Sequence, residues 1–213
     1  MYRLLVFDWD GTLGDTRVGA HNALNRMLRK NGRSEVSLAK FDTISHNGGK
    51  YMVASAAEIP LSSEETAVLF SQYIDEYLAD PGCDLYDGVY ETLCELKESG
   101  FALALLSNKM ENVCKAQLKL TGCDKLFSYV LCDDGTVALK PEPDGLLKVI
   151  SECHVIPEEV LLVGDSNSDM LSGARARVST CFVNYGFSIL DEALCHPTYR
   201  ISAFPDLLRI AKN

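Results

Sequence analysis

The sequence has no long apolar run and little positive charge. None of its hydrophobic stretches approaches the ~20 residues that a membrane-spanning helix needs, and we expect no signal peptide ahead of Leu4. The 213 residues include 20 lysines and arginines against 30 aspartates and glutamates, a formal net charge of −10. A surface of that sign disfavours nucleic acid and acidic membranes as partners. We therefore expect a soluble, cytoplasmic protein that binds neither nucleic acid nor membrane.

The eight cysteines show none of the spacings that are typical of metal or redox sites. There is no Cys-x-x-Cys pair, and no histidine stands at zinc-site spacing. Most of the cysteines lie inside apolar stretches such as "VLCDD" and "TLCEL". We therefore favour buried free thiols in a reducing compartment over disulfides.

Short apolar stretches alternate with segments of helical periodicity from residue 87 onward. Strands are predicted over 101–108, 129–134, 159–165 and 180–184, with a weaker one over 199–202. Helices are predicted between them over 88–99, 109–121 and 143–153. In the first of these helices Val89, Leu93 and Leu96 share one face, and Gly100 is expected to end it. Because such alternation is typical of parallel strands covered on both faces, we expect an α/β fold.

The stretch after the first strand interrupts this alternation, because it contains no convincing strand. Ser62 with Glu65 predicts a capping box at the start of a helix within it. We therefore expect a helical insert over 16–82 and a discontinuous α/β domain formed by 1–15 and 83–213. The insert is either a hinged lid or a static elaboration, and the sequence leaves both open.

Polar residues follow four of the predicted strands, at the ends where open parallel sheets bind ligands. In chain order these tips carry Asp8-Trp9-Asp10-Gly11-Thr12, then Ser107-Asn108, then Lys140, and last Asp165 with Asp169 behind it. Each tip alone is a weak signal, but four in this order are hard to attribute to chance. We expect them to meet at one edge of the sheet, with Trp9 turned away into the core.

The residue types at these tips indicate phosphoryl transfer. Convergent carboxylates of Asp8, Asp10 and Asp165 repel one another unless a cation lies between them, and hard oxygen ligands favour Mg²⁺. Lys140 and the hydroxyl of Ser107 can hold other oxygens of a phosphate group. A carboxylate nucleophile that forms an aspartyl-phosphate suits such a site, and a second carboxylate can serve as general acid and base.

Further contacts to the substrate are predicted at two places. Near the strand tips, the backbone N–H groups of Gly11 and Thr12 can approach the same anion, and Asn108 is a further candidate. In the helical insert, the loop "SHNGGK" contains two glycines that let the backbone approach a ligand. Asn47 and Lys50 of this loop are the candidates for binding the substrate.

This set of residues resembles the four motifs of the haloacid dehalogenase superfamily of phosphohydrolases. The corresponding segments are "DWDGT" at 8–12, "LSN" at 106–108, Lys140, and "GDSNSD" at 164–169. The chain length, the helical insert and the segment "KPEPDGLLKVI" resemble the phosphoglycolate phosphatase-like branch. The resemblance implies a Rossmann-like open parallel sheet core with an inserted α-helical cap domain.

The resemblance also implies a role for each catalytic residue. Asp8 is similar to the nucleophile of the family and Asp10 to its general acid and base. Ser107 and Lys140 are similar to its phosphate clamps. The strand that carries Asp8 is expected to lie between the strands that end at Ser107 and Asp165.

The metal site follows from the same resemblance. Mg²⁺ would be held by the carboxylates of Asp8 and Asp165 and by the backbone carbonyl of Asp10. Asp169 would support this site from behind, without contacting the metal.

The implied function is a Mg²⁺-dependent phosphomonoesterase that hydrolyses a small, phosphoglycolate-like phosphate ester. A phosphomutase of the β-phosphoglucomutase type would use the same Asp8 and Asp10, and the sequence does not decide between them. A non-catalytic phosphate-binding or regulatory module would require a lost motif, whereas all four are intact. The sequence leaves open whether the protein is a monomer or a homodimer.

Overall fold

The computed structural model describes residues 1–45 and 48–212. The strands are β1 Leu4–Phe7, β2 Gly14–Asp15, β3 Asp84–Leu85, β4 Ala102–Met110, β5 Tyr129–Asp133, β6 Val160–Gly164, β7 Ser179–Val183 and β8 Tyr199–Ile201. The helices are α1 Arg17–Lys30, α2 Leu38–Ser45, α3 Gly49–Ala57, α4 Glu64–Ala79, α5 Val89–Glu98, α6 Glu111–Leu120, α7 Asp144–Glu152, α8 Asn167–Ala176 and α9 Leu207–Ala211. Short 3-10 turns lie at Cys123–Lys125, Pro157–Glu159 and Phe204–Asp206.

Contacts within the chain divide it into two compact units, residues 1–15 with 84–213 and residues 16–83. The boundary predicted from the sequence lay one residue earlier, at 82. Within the described residues, the first unit contains the strands β1 to β8 and the second contains the helices α1 to α4.

A six-stranded sheet forms the centre of the first unit, in the order β5-β4-β1-β6-β7-β8. Every neighbouring pair in it is parallel. Leu4 of β1 lies opposite Ala102 of β4 and Val160 of β6. The predictions of an α/β fold with an open parallel sheet and a helical insertion are confirmed. The implied order around β1, with the Ser107 strand on one side and the Asp165 strand on the other, is also observed.

Helix α5 has the buried apolar face that its sequence periodicity predicts. Its predicted apolar face is fully buried, with Val89, Leu93 and Leu96 at 0% exposure. The helix ends at Glu98, and Gly100 follows with φ of +91°, a conformation that glycine adopts without strain.

Strand β4 is longer than predicted and irregular. It continues past Asn108 to Met110. Leu106 pairs with Leu131 and Met110 with Asp133, so four steps along β4 match two along β5. The surplus residues form a bulge, which bends a strand and redirects its side chains. Periodicity did not predict this interruption.

The helical unit has its own core between α1 and α4. Leu24, Met27 and Leu28 of α1 are fully buried. Tyr73 and Tyr77 of α4 are also buried, with ring centroids 5.7 Å apart. No helix in residues 1–45 or 48–212 is long and apolar enough to cross a membrane.

The cysteines agree with the thiol prediction. All eight are free, and five of them are buried. Three others, Cys83, Cys94 and Cys153, are half-buried.

The start of α4 corrects the capping prediction by one residue. The N-cap is Ser63 and not Ser62, and its hydroxyl accepts a hydrogen bond from the Thr66 N–H at 3.2 Å. Glu64 and Glu65 fill the first turn, where carboxylates favour the helix dipole.

Replacing the observed cap tests this assignment. Ser63→Ala removes the hydroxyl that caps the Thr66 N–H and leaves this N–H only the Ser63 carbonyl at 3.1 Å, so we expect the helical unit to lose about 1 kcal/mol of unfolding free energy. Urea unfolding followed by far-UV circular dichroism measures the loss. Ser62→Ala, at an exposed neighbouring position, is the matched control and should be neutral. A loss in the control alone would restore the original prediction.

Candidate active site

The first strand delivers Asp8 to the carboxyl edge of the sheet. The Asp8 N–H donates to the Val163 carbonyl at 3.0 Å, which continues the ladder beyond β1. The Asp8 carboxylate is buried. Trp9 turns into the core as predicted, where its Nε1–H donates to the buried Gln117 Oε1 at 2.9 Å. This buried hydrogen bond anchors the backbone between Asp8 and Asp10.

Lys140 is buried and lies among the carboxylates at the carboxyl edge of the sheet. Its Nζ is 2.6 Å from Asp169 Oδ1, 2.9 Å from Asp8 Oδ1 and 2.9 Å from the Leu106 carbonyl. Burial by itself would lower the pKa of Lys140, but the carboxylates of Asp169 and Asp8 outweigh burial and raise it. Lys140 is therefore a permanent buried cation.

The Asp8 carboxylate is incompletely satisfied. Lys140 forms an ion pair with its Oδ1 but lies outside the direction of a hydrogen bond, and this buried oxygen has no hydrogen-bond donor in the described part of the chain. Burial raises the pKa of Asp8 to about 6, against the opposing effect of Lys140. A buried carboxylate oxygen whose one partner is a poorly aligned ammonium group can accept a further ligand or ion.

Asp165, at the end of β6, is held from the side opposite to β1. Its Oδ2 accepts hydrogen bonds from the backbone N–H groups of Phe187, at 2.7 Å, and Ser188, at 3.3 Å. Burial, with the nearby carboxylates of Asp169 and Asp8, raises the pKa of Asp165 to about 8. Its charged form therefore needs a further positive charge at neutral pH.

Two glycines allow the backbone to approach Asp165 closely. A Cβ on Gly11 would lie 2.4 Å from Asp165 Oδ2, and one on Gly186 would lie 2.2 Å from Asp165 Cβ. Gly11 also has φ of +77°, in the left-handed region. A larger residue at either position would displace the carboxylate.

Asp169 is fully engaged within the protein. Its Oδ1 accepts from Lys140, and its Oδ2 accepts from the N–H and the hydroxyl of Ser166, at 3.1 and 2.5 Å. Ser166 and Asp169 together form the capping box of α8. Asp169 therefore holds Lys140 in place and begins a helix with the same carboxylate.

The donor set fits a hard divalent cation. Asp8, Asp165 and Asp169 each offer an oxygen, and these three oxygens lie within 4.8 Å of one another. Because both Asp169 oxygens are engaged, Asp8 and Asp165 are the better ligands. With three carboxylates and Lys140 ionised, the set carries two excess negative charges. An oxygen-only site of this charge, with an unbonded oxygen on Asp8, suits Mg²⁺.

Ser107 and Asn108 lie in the bulge of β4, and their side chains have different hydrogen-bond partners. Ser107 is buried, and its hydroxyl oxygen accepts from the Lys109 N–H at 3.3 Å. The Asn108 side chain donates to the Lys140 carbonyl at 2.8 Å and accepts from the Lys140 N–H at 2.9 Å. Asn108 thus fixes the Lys140 backbone, and its predicted contact with a phosphate group stays a prediction.

The turn after Asp10 engages the two amides that were expected to approach an anion, and their contact with a phosphate group stays a prediction. The N–H groups of Gly11 and Thr12, predicted to face an anion, donate inside the turn to the carbonyls of Gly14, at 3.0 Å, and Trp9, at 3.3 Å. A tight turn has to satisfy its own amides, which leaves these two engaged. Thr12 instead lies against Asp165, with 3.5 Å between Thr12 Oγ1 and Asp165 Oδ1.

The Asp10 carboxylate forms an ion pair that the sequence reasoning missed. Lys109 Nζ lies 2.7 Å from Asp10 Oδ1. The sequence contains no signal for this pair, because Lys109 lies in the bulge of β4, where the alternation of a strand is interrupted. The predicted use of the Asp10 carbonyl as a metal ligand stays a prediction.

The two candidates in the helical unit stay predictions. Asn47 lies outside the described residues. Lys50 is exposed in the first turn of α3, with its Nζ 5.9 Å from the centre of the Phe70 ring. This cation–π contact holds Lys50 within its own unit.

Comparisons with known proteins cover almost the whole chain. The sequence profile of the haloacid dehalogenase-like hydrolases matches residues 5–183. Phosphoglycolate phosphatase 1 of Pseudomonas aeruginosa is 32% identical, over 98% of this chain and 79% of its own. Pyrophosphatase PpaX of Halalkalibacterium halodurans is 31% identical, over 97% of this chain and 95% of its own. A crystal structure described as a predicted phosphoglycolate phosphatase from Haemophilus somnus has a TM-score of 0.87 at 27% identity, covering 98% of this chain and 97% of that one.

A methyl group at Gly186 tests the support of Asp165. The new Cβ would lie 2.2 Å from Asp165 Cβ and 2.5 Å from the Gly11 carbonyl oxygen, which is backbone and cannot rotate away. We expect Gly186→Ala to lower the unfolding free energy by about 1–3 kcal/mol and to weaken Mg²⁺ binding. Urea unfolding and calorimetric titration with Mg²⁺ measure the two effects.

Ser188→Ala is the matched control for this variant, because it keeps the backbone N–H that Asp165 accepts. Both properties should stay close to those of the parent protein. Unchanged stability and Mg²⁺ affinity in Gly186→Ala would mean that the loop does not position Asp165.

Proposed function

The chain belongs to the haloacid dehalogenase-like hydrolase family and is a phosphatase, and from this premise we propose that it is a Mg²⁺-dependent phosphomonoesterase acting through an aspartyl-phosphate on Asp8. One observation carries the proposal. A buried carboxylate with an unbonded oxygen stands at the tip of the central strand, beside the buried cation of Lys140. Such a carboxylate can attack an electrophilic phosphorus atom, and the adjacent ammonium group can bind the negatively charged oxygens of the same phosphate group.

The carboxylates of Asp8 and Asp165, with the carbonyl of Asp10, would hold the metal ion. When bound, Mg²⁺ supplies positive charge that neutralises the carboxylates and polarises an oxygen of the phosphate group. The backbone N–H groups of Phe187 and Ser188 orient Asp165 for this task.

The first step is nucleophilic attack by Asp8. A carboxylate oxygen of Asp8 forms a bond to phosphorus, and the bond from phosphorus to the ester oxygen breaks. Lys140 and the hydroxyl of Ser107 hold the remaining phosphate oxygens and offset the charge that develops on them. Asn108 keeps the Lys140 backbone in place through its two hydrogen bonds.

Asp10 moves the protons. It donates a proton to the departing ester oxygen in the first step, which releases the alcohol. It then takes a proton from water, which attacks the phosphorus of the aspartyl-phosphate and releases inorganic phosphate. The side chain of Asp8 is regenerated as a carboxylate.

We propose a small phosphorylated metabolite, similar to phosphoglycolate, as the substrate. The name of the Pseudomonas aeruginosa relative supports this class, while the name of the Halalkalibacterium halodurans relative supports pyrophosphate as a competing substrate. We propose that the helical unit is the cap that selects among such substrates, with Asn47 and Lys50 as its contacts. Phosphate release from a panel of esters and pyrophosphate, with Mg²⁺ or with a chelator, tests the assignment.

Removing the nucleophile tests the covalent mechanism. An amide is a poor nucleophile and a weaker metal ligand, so we expect Asp8→Asn to reduce phosphate release to background while the protein stays folded. Phosphate release from the best substrate of the panel measures the change. Asp124→Asn alters an exposed carboxylate in a surface turn and should retain full activity. Substantial turnover by Asp8→Asn would overturn the assignment of Asp8.

Removing the acid tests Asp10 separately. We expect Asp10→Asn to lower kcat/KM for an alkyl phosphate by about 10²–10⁴-fold. The loss should be much smaller for p-nitrophenyl phosphate, whose leaving group departs without a proton. The parameter kcat/KM is chosen because it reports steps up to the departure of the leaving group. Equal losses on the two esters would show that Asp10 does not protonate the leaving oxygen.

A further inference from the structure

We propose that Lys109 is a positioning residue that holds the Asp10 carboxylate in its working orientation. The inference rests on the function proposed for Asp10 as general acid and base. It assigns a role to a lysine that lies outside the four motif positions.

The ion pair between the two side chains is the first observation. Lys109 Nζ is 2.7 Å from Asp10 Oδ1, the distance of a charge-assisted hydrogen bond. The Lys109 side chain is only 9% exposed and that of Asp10 is 32% exposed. Because the Lys109 side of the pair is buried and the Asp10 side is partly exposed, solvent screens it less than a pair that is exposed on both sides.

The backbone under Lys109 is fixed on both sides. Lys109 lies in the bulge of β4, where the register with β5 breaks between Leu106 and Met110. Its own N–H donates to Ser107 Oγ at 3.3 Å, and the neighbouring Asn108 makes two hydrogen bonds to the backbone of Lys140. Because the backbone of this segment is fixed, the Lys109 side chain starts from a defined position when it reaches Asp10.

The backbone under Asp10 is equally restrained. The N–H groups of Leu13 and Gly14 donate to the Trp9 carbonyl at 3.0 and 2.9 Å, and Asp10 forms a bridge with Gly14. The turn is thereby closed, and the remaining freedom of Asp10 lies in its two side-chain torsions. Lys109 restricts that freedom at the carboxylate itself.

Orientation has a large effect on a proton transfer. A misplacement of about 1 Å in a catalytic group can lower a rate by roughly 10²-fold. A general acid has to lie within hydrogen-bond reach of the leaving oxygen, so a rotation of the carboxylate is enough to reduce its effect. Lys109 therefore acts on the same step as Asp10, through its contact with the Asp10 carboxylate.

The test compares two substitutions at Lys109. Lys109→Met keeps the length of the chain and removes the charge, whereas Lys109→Arg keeps the charge. Lys115→Met is the matched control, because Lys115 is 60% exposed and pairs with Glu111 on the surface of α6. Each variant is also made in the Asp10→Asn background, and kcat/KM is measured for an alkyl phosphate and for p-nitrophenyl phosphate.

We expect Lys109→Met to lower kcat/KM for the alkyl phosphate by about 10–10²-fold and for p-nitrophenyl phosphate by much less. The same substitution should have no further effect in the Asp10→Asn background. Lys109→Arg should recover most of the loss, and Lys115→Met should be neutral. Inhibition by inorganic phosphate should be unchanged in every variant, since Lys109 does not bind the phosphate group.

Other outcomes would overturn the proposal. Equal losses on the two esters that persist without Asp10, or weaker inhibition by inorganic phosphate, would show that Lys109 binds the phosphate group itself. Unchanged kinetics in Lys109→Met would show that the ion pair has no role in turnover.

A separate measurement distinguishes failure of the inference from failure of the proposed function. Parent protein that releases no phosphate from any ester in the panel with Mg²⁺ would contradict the proposed function. The unfolding free energies of the parent, Lys109→Met, Asp10→Asn and the double variant then test the pair without turnover. Additive effects in that cycle would overturn the proposal, because they would mean that Lys109 does not hold Asp10.

Discussion

The ammonium group of Lys140 is the contact on which the rest of the site depends. It joins the end of β1 through Asp8, the strand β4 through the Leu106 carbonyl, and the start of α8 through Asp169. Burial opposes a charge at this position, but the two carboxylates outweigh it. Removing one partner from such a buried set costs about 3–5 kcal/mol, because the remaining charges lose their compensation. The Lys140 ammonium therefore fixes β1, β4 and α8 relative to one another and holds the Asp8 carboxylate in position.

This arrangement explains why the fold and the site are not separable. Asp169 begins α8 through the capping box with Ser166 and at the same time holds the cation that faces Asp8. A change at Asp169 would disturb a helix terminus and the charge balance together. On the other flank, Gly11 and Gly186 leave just enough space for Asp165. The site lies at the edge of the hydrophobic core, so the positions of its carboxylates depend on how the neighbouring residues are packed.

Periodicity was sufficient for the residues that stand at regular strand ends. An apolar run stops where its strand stops, so Asp8 and Asp165 could be placed together from the sequence and the rule for parallel sheets. Lys109 could not, because its direction depends on a bulge, and a bulge leaves no repeating pattern. Gly186 lies in a segment without periodicity, and only the tertiary fold brings it against Asp165. The alternation of predicted strands and helices was sufficient to predict the fold class. The hydrogen-bond partner of the Gly11 N–H depends on the local geometry of the turn, which the sequence pattern does not show.

Trp9 is the only tryptophan of the chain, and it stands between the two carboxylates on which the chemistry is proposed to depend. Its indole N–H is bonded to Gln117 in a fully buried environment. Indole emission responds to the electric field and the polarity around the ring, so we expect a change of charge at the neighbouring carboxylates to alter its intensity or wavelength. The protein thus contains an intrinsic optical probe of its own reaction centre, which allows rapid-mixing experiments without a label.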